Sequence, residues 1–95
     1  MIKHIVFFKL EDNSQEHKEK IKTKLMNLKD KIGEPKCIEV GLNFNDSERA
    51  YDMSLITDFD SKEDLSSYQI HPDHQEVVKY LQSTNTVSKV VDYEY

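Results

Sequence analysis

The first nine residues, Met1-Ile2-Lys3-His4-Ile5-Val6-Phe7-Phe8-Lys9, read as a β-strand that is apolar on both sides. Successive side chains on a strand point to opposite faces, so Ile2, Val6 and Phe8 flank His4 on one face while Ile5 and Phe7 occupy the other. Any sheet that contains this strand needs cover on both faces. That demand shapes everything that follows.

The rest of the chain supplies cover for one face. Ser14 to Ile32 has a helical apolar stripe at Ile21, Leu25, Leu28 and Ile32, with Lys and Glu on the remaining surface, and Gly33 and Pro35 end it. Lys36 to Phe44 is a second strand with Ile38, Val40, Leu42 and Phe44 on one face. A polar connection, Asn43 to Arg49, leads to a third strand at Tyr51 to Phe59. Ser61 caps the next helix with Asp64 at its third position, and Leu65 and Tyr68 mark its inner side. Pro72 divides this helical region, whose second part ends near Ser83 to Thr86. Val87 to Tyr95 then alternates Val87, Val91, Tyr93 and Tyr95 against Ser88, Asp92 and Glu94 as a fourth strand. The order β-α-β-β-α-β is the ferredoxin-like α+β arrangement, a four-stranded antiparallel sheet with helices on one face. Residues 1–95 are expected to form one such domain. Its other face, carrying Ile5 and Phe7, would be bare, and a second copy packed sheet to sheet covers it most simply. The expected assembly is therefore a homodimeric α/β barrel.

The proline break also singles out a candidate for chemistry. Pro72 disfavours a helical conformation at His71, so His71 should end one helix and cap the next, with Pro72 at the first helical position. His74 then falls in the first turn. It heads the stripe His74, Val77, Val78 and Leu81, which faces the core. A helix N-terminus disfavours positive charge and apolar neighbours disfavour any charge. Both should lower the pKa of His74 and keep its ring neutral near pH 7.

Charge and composition narrow the partners. The formal net charge of −5 repels phosphate backbones, so nucleic acid is not expected as a partner. The longest apolar run, Ile5-Val6-Phe7-Phe8, is far too short to span a membrane, and the N-terminus shows no cleavable signal pattern. A cytoplasmic protein is the expectation. Cys37 stands alone in a strand-like setting and suits a reducing compartment. His71 and His74 have helical spacing for metal, but zinc needs three or four ligands and these two rings should diverge, so no metal or other cofactor is expected. His17 sits among Glu16, Lys18 and Glu19 and reads as solvated surface.

Three segments together, Met1 to Lys9, Tyr68-Gln69-Ile70-His71-Pro72-Asp73-His74 and Asp92-Tyr93-Glu94, resemble the stress-responsive dimeric α/β-barrel (Dabb) family over essentially the whole chain. The resemblance implies a ferredoxin-like protomer in a homodimeric barrel. It is distantly similar to olivetolic acid cyclase, a plant member that closes a linear polyketide by aldol condensation without metal or organic cofactor. That similarity implies His74 as the base, Tyr68 as its orienter and His4 as part of the pocket. A further pocket histidine on the third strand is replaced here by Met53, so the polyketide specificity does not carry over.

Two functions stay open on this reading. In one, a small apolar pocket carries out cofactor-independent proton transfer on a carbonyl compound. His74 is the base, Tyr68 its orienter or oxyanion donor, and His4 and Met53 contact the substrate. In the other, the protein is a non-enzymatic stress-response or ligand-binding module whose histidines tie helix to sheet.

Overall fold

Antiparallel pairing of β1 (Ile2–Lys9) with two neighbours organises the chain, which the computed structural model describes over residues 1–95. In sequence, α1 (Gln15–Lys31), β2 (Cys37–Leu42), β3 (Met53–Phe59), α2 (Lys62–Ile70), α3 (Pro72–Ser83) and β4 (Val87–Glu94) follow. The sheet order is β2-β3-β1-β4, with every neighbouring pair antiparallel. This is the ferredoxin-like topology expected from the strand and helix periodicities.

Register fixes which side chains share a face. His4 lies opposite Thr57 on β3 and Asp92 on β4. Val6 lies opposite Leu55 and Val90, and Phe8 opposite Met53 and Ser88. All these side chains belong to the helix-covered face. The other face carries Ile5, Phe7, Ile56, Val91 and Tyr93, with Phe7 and Val91 well exposed.

α1 buries Ile21, Leu25 and Leu28 against Val40, Leu55 and the other inner side chains of the sheet. Ser14 caps it by accepting from the His17 N–H, and Ser61 caps α2 by accepting from the Asp64 N–H. α3 is different. It has no fully buried residue, and its Val77, Tyr80 and Leu81 pack only partly against the core.

Two expectations are corrected here. Phe44 does not extend β2. Asn43 and Asn45 use their side chains to turn the backbone, accepting from the Asn45 and Ser47 N–H groups, and leave Phe44 fully exposed in the β2–β3 loop. His17 is not solvated surface. It is buried, its Nδ1 donates to the Asp12 carbonyl at 2.7 Å, and its Nε2 meets the Tyr80 hydroxyl at 3.0 Å, tying α1 to α3.

Candidate functional site

The Pro72 break produces the local geometry around His74. A continuous helix would satisfy the Gln69 carbonyl with the Asp73 N–H. Instead, His71 adopts an extended conformation (φ −62°, ψ 136°) and its own Nδ1 accepts the Asp73 N–H at 3.1 Å. The Gln69 carbonyl is thereby left to other donors. His74 Nδ1 donates to it at 3.0 Å, and the Gln75 side-chain amide donates at 2.6 Å. A carbonyl can only accept, so the proton of a neutral His74 ring is on Nδ1 and Nε2 carries the lone pair.

Tyr68 supports that ring from one side. The two rings are 4.5 Å apart at 56°, and Phe59 packs on Tyr68 at 5.2 Å. Burial lowers the pKa of His74, and the neighbouring His4 and His71 add to the effect. The bond to Gln69 opposes it. Burial also pushes the Tyr68 hydroxyl up to about 12, so it stays protonated at neutral pH. That hydroxyl has no hydrogen-bond partner.

His4 is held by a second fixed acceptor. It is 5% exposed, and its Nδ1 lies 2.5 Å from Asp92 Oδ1 across the β1–β4 pair. A carboxylate oxygen accepts, so Nδ1 of His4 is the donor in this contact and Nε2 is the ring nitrogen that takes no part in it. Thr57, fully buried on the other side of His4, donates its hydroxyl to the His4 carbonyl at 3.4 Å.

Both imidazoles line one cavity of about 270 Å³ between the sheet and α3. Val6, Phe8, Leu25, Leu55, Val77, Val78, Leu81 and Val90 supply its apolar wall, and Gln69, Gln82, Thr86 and Ser88 are its other polar groups. No Lys, Arg, Asp or Glu lines it. The volume falls just under the usual range for pockets that hold drug-sized ligands, so a smaller molecule fits best. The lining holds two imidazoles and no Lys or Arg, an arrangement suited to an uncharged molecule with acidic hydrogens.

Of the residues picked out in the sequence, His4 and His74 meet at this cavity. Tyr68 touches it only through His74, because its own side chain is sealed in the core. The geometry gives Tyr68 a buttressing contact and no route to an oxyanion. Met53 is not part of the wall. It sits on the correct face but two residues beyond Leu55, opposite Phe8 and Leu42, where it is buried and borders a separate cleft with Phe7, Arg49 and Tyr51. Asp92 is the residue that sequence reasoning missed. Its signal was its alternation on the fourth strand, which puts it on the His4 side once β4 is paired beside β1.

The stress responsive A/B barrel domain model matches residues 2–95 of this chain. A stress-response A/B barrel domain-containing protein from Arabidopsis thaliana is 35% identical over 82 residues, which cover 83% of this chain. The chain spans 30% of the length of that relative. A dimeric protein of unknown function with a ferredoxin-like fold from Bacteroides fragilis is 36% identical, with TM-score 0.83, covering 99% of this chain and 95% of that one. A hydroxynitrile lyase from Passiflora edulis, 20% identical with TM-score 0.79 over 98% of this chain and 93% of that one, shares the fold. No helix here is long and apolar enough to cross a membrane.

Proposed function

The chain belongs to the stress-responsive A/B barrel domain family, and from that premise we propose that it forms a homodimeric barrel that performs cofactor-independent proton transfer on a small uncharged carbonyl compound. The observation that carries the proposal is the pair of imidazoles, His4 and His74, each with Nδ1 tied to a fixed acceptor and both lining one mainly apolar cavity that has no Lys, Arg, Asp or Glu in its wall. In the reaction class proposed, Nε2 of His74 takes a proton from the carbon beside the carbonyl. The C–H electron pair moves into the enolate and the imidazole becomes imidazolium. The same nitrogen then returns the proton to carbon or oxygen, which gives isomerase-, lyase- or cyclase-like outcomes according to the substrate.

A poised base must be unprotonated at working pH, and the lowered pKa of His74 meets that need. Asp92 fixes the orientation and tautomer of His4, which contacts the ligand from the sheet side. Tyr68 holds the His74 ring in place through its face. A cytoplasmic setting belongs to the same proposal, because Cys37 has no partner thiol in the chain.

The homodimer is supported by the exposed apolar side chains Phe7, Val91 and Tyr93 on the sheet face opposite the helices. The 36%-identical Bacteroides fragilis protein is itself dimeric.

The test is exchange of the α-hydrogens of uncharged ketones, such as cyclohexanone and acetophenone, into D2O, followed by NMR. The protein should accelerate exchange well beyond free imidazole at equal concentration, and His74→Gln should abolish the acceleration. A second reading, a non-enzymatic ligand-binding protein, is favoured by one feature: the Tyr68 hydroxyl is sealed away from the cavity and cannot stabilise an oxyanion there. Saturable binding of these ketones without exchange would select that reading.

A further inference from the structure

The cavity has one uncovered side. Every residue of β4 is exposed, and Val90, although it faces the helices and lines the cavity, is 57% exposed. β4 is also an open sheet edge of 8 residues, VSKVVDYE, with no proline and a single lysine. Such an edge is a pairing surface unless something covers it. The other edge is β2.

Two copies stacked through their outer sheet faces can be related by a two-fold axis along the strands or across them. An axis along the strands reverses strand order but keeps strand direction. β4 of one copy then adjoins β2 of the other, and because β4 and β2 run in opposite directions within a protomer, the seam is antiparallel. An axis across the strands brings each edge to its own copy. Glu39, on the outer face midway along β2 and opposite Ile56, would then approach the partner's Glu39. The first arrangement instead brings Glu39 towards the partner's Lys89, which lies on the outer face of β4 opposite Phe7, one pleat from the level of Glu39. Opposite charges across a seam stabilise it and like charges oppose it.

An axis along the strands also preserves levels along the sheet. Leu42, Met53, Phe8 and Ser88 form one row across it. Phe44, two residues beyond Leu42, leaves from that row on a loop stiffened by its own Asn side chains and is fully exposed. In the dimer it arrives beside Ser88 of the other copy, at the open side of the cavity. We infer that each cavity is completed across the dimer, with Phe44 of the partner subunit covering the side bounded by Ser88 and Val90. The inference rests on the proposed homodimer and on this cavity being the ligand site.

Cysteine cross-linking tests the geometry in a Cys37→Ser background. Positions 44 and 88 are both exposed, so Phe44→Cys and Ser88→Cys should leave folding intact. Mild oxidation of the double variant is expected to give a covalent dimer, since a disulfide needs Cα atoms within about 7 Å. Neither single variant should cross-link. A self-linked Ser88→Cys variant would set β4 against β4 and overturn the inference, as would a double variant that stays unlinked while light scattering reports a dimer. A monomer by light scattering would overturn the homodimer reading itself. Phe44→Ala is further expected to keep the dimer but to weaken binding of N-phenyl-1-naphthylamine, an uncharged apolar fluorophore, about tenfold. Unchanged affinity would remove Phe44 from the cavity wall, and a wild-type protein that binds no such probe would overturn the ligand-site reading.

Discussion

α1 and α3 lie over the same sheet, yet only one of them seals it. α1 presses Ile21, Leu25 and Leu28 into the sheet until each is almost fully buried, whereas α3 has no fully buried residue and stands over a cavity. The strands divide in the same way. Each inner residue of β3 is buried, while β4 is exposed along its whole length. Cohesion is concentrated in α1, β2 and β3, and His74, the cavity and the open edge are grouped around α3 and β4. The cavity lies on the boundary between the two halves, with Leu25 of α1 and Leu55 of β3 in its wall beside side chains of α3 and β4.

The sharpest way to break this contrast is to truncate one leucine in each half. Leu28→Ala is expected to cost about 2–5 kcal/mol, because the wall around a fully buried leucine cannot collapse into the space left behind. Leu81→Ala, on the cavity side of α3, should cost under about 1.5 kcal/mol, since Leu81 is only partly packed. Urea denaturation of both variants, read against the wild type, measures the difference. Equal losses would mean that α3 contributes to cohesion as much as α1 does.

A second comparison sets the two faces of the sheet against each other. Val91→Asp puts a carboxylate on the outer face, opposite Ile5 and away from the cavity. Burial of two such unpaired charges at a sheet-to-sheet interface should raise the dimer dissociation constant at least about a hundredfold. Sedimentation velocity would show the shift to monomer. A dimer of unchanged affinity would place the interface elsewhere.

Local periodicity made most of the fold legible. Apolar residues on both faces identified β1, two-residue alternation identified β2 and β4, the stripe Ile21, Leu25, Leu28 and Ile32 identified α1, and Pro72 located the break that turns His74 inward. The features that escaped depend on partners far along the chain or on competition for the backbone. His17 reads as surface among charged neighbours, but its ring bonds to Tyr80, which lies 63 residues away. Asp92 meets His4 across 88 residues, and that contact exists only through the β1–β4 register. Phe44 continues the apolar alternation of β2, but the Asn43 and Asn45 side chains capture the backbone and end the strand. The family resemblance alone places Met53 in the pocket, whereas the register sets it opposite Phe8 and Leu42, away from the cavity that His4 and His74 line.

Tyr68 tests whether the cavity half tolerates imperfect packing. Its hydroxyl is buried without a partner, and such a group costs the desolvation of an unsatisfied donor. Tyr68→Phe removes the hydroxyl and keeps the ring that supports His74. It should stabilise the protein by about 1 kcal/mol, at the lower end of the cost of an unsatisfied group, as read by denaturation. A loss of stability would mean that the hydroxyl has a partner, most simply an ordered water.

The smallest expected effect concerns the protonation of His74, where the two halves meet. Its folded pKa lies below the ordinary histidine value of 6.5, with burial as the largest cause. The unfolded chain, having the higher pKa, binds the proton more readily, so between the two values unfolding takes up a proton. The contribution of this residue to stability is therefore fully present above about pH 6.5 and declines as pH falls towards the folded pKa. In His74→Gln the part of the acid sensitivity due to this ring should disappear, and the stability curves of the two proteins should draw together as pH falls below about 6.5. An NMR titration of the ring protons gives the folded value directly. A midpoint above about 7 would mean that an anion faces Nε2 in the folded protein, which would favour a charged ring and remove His74 as a free base.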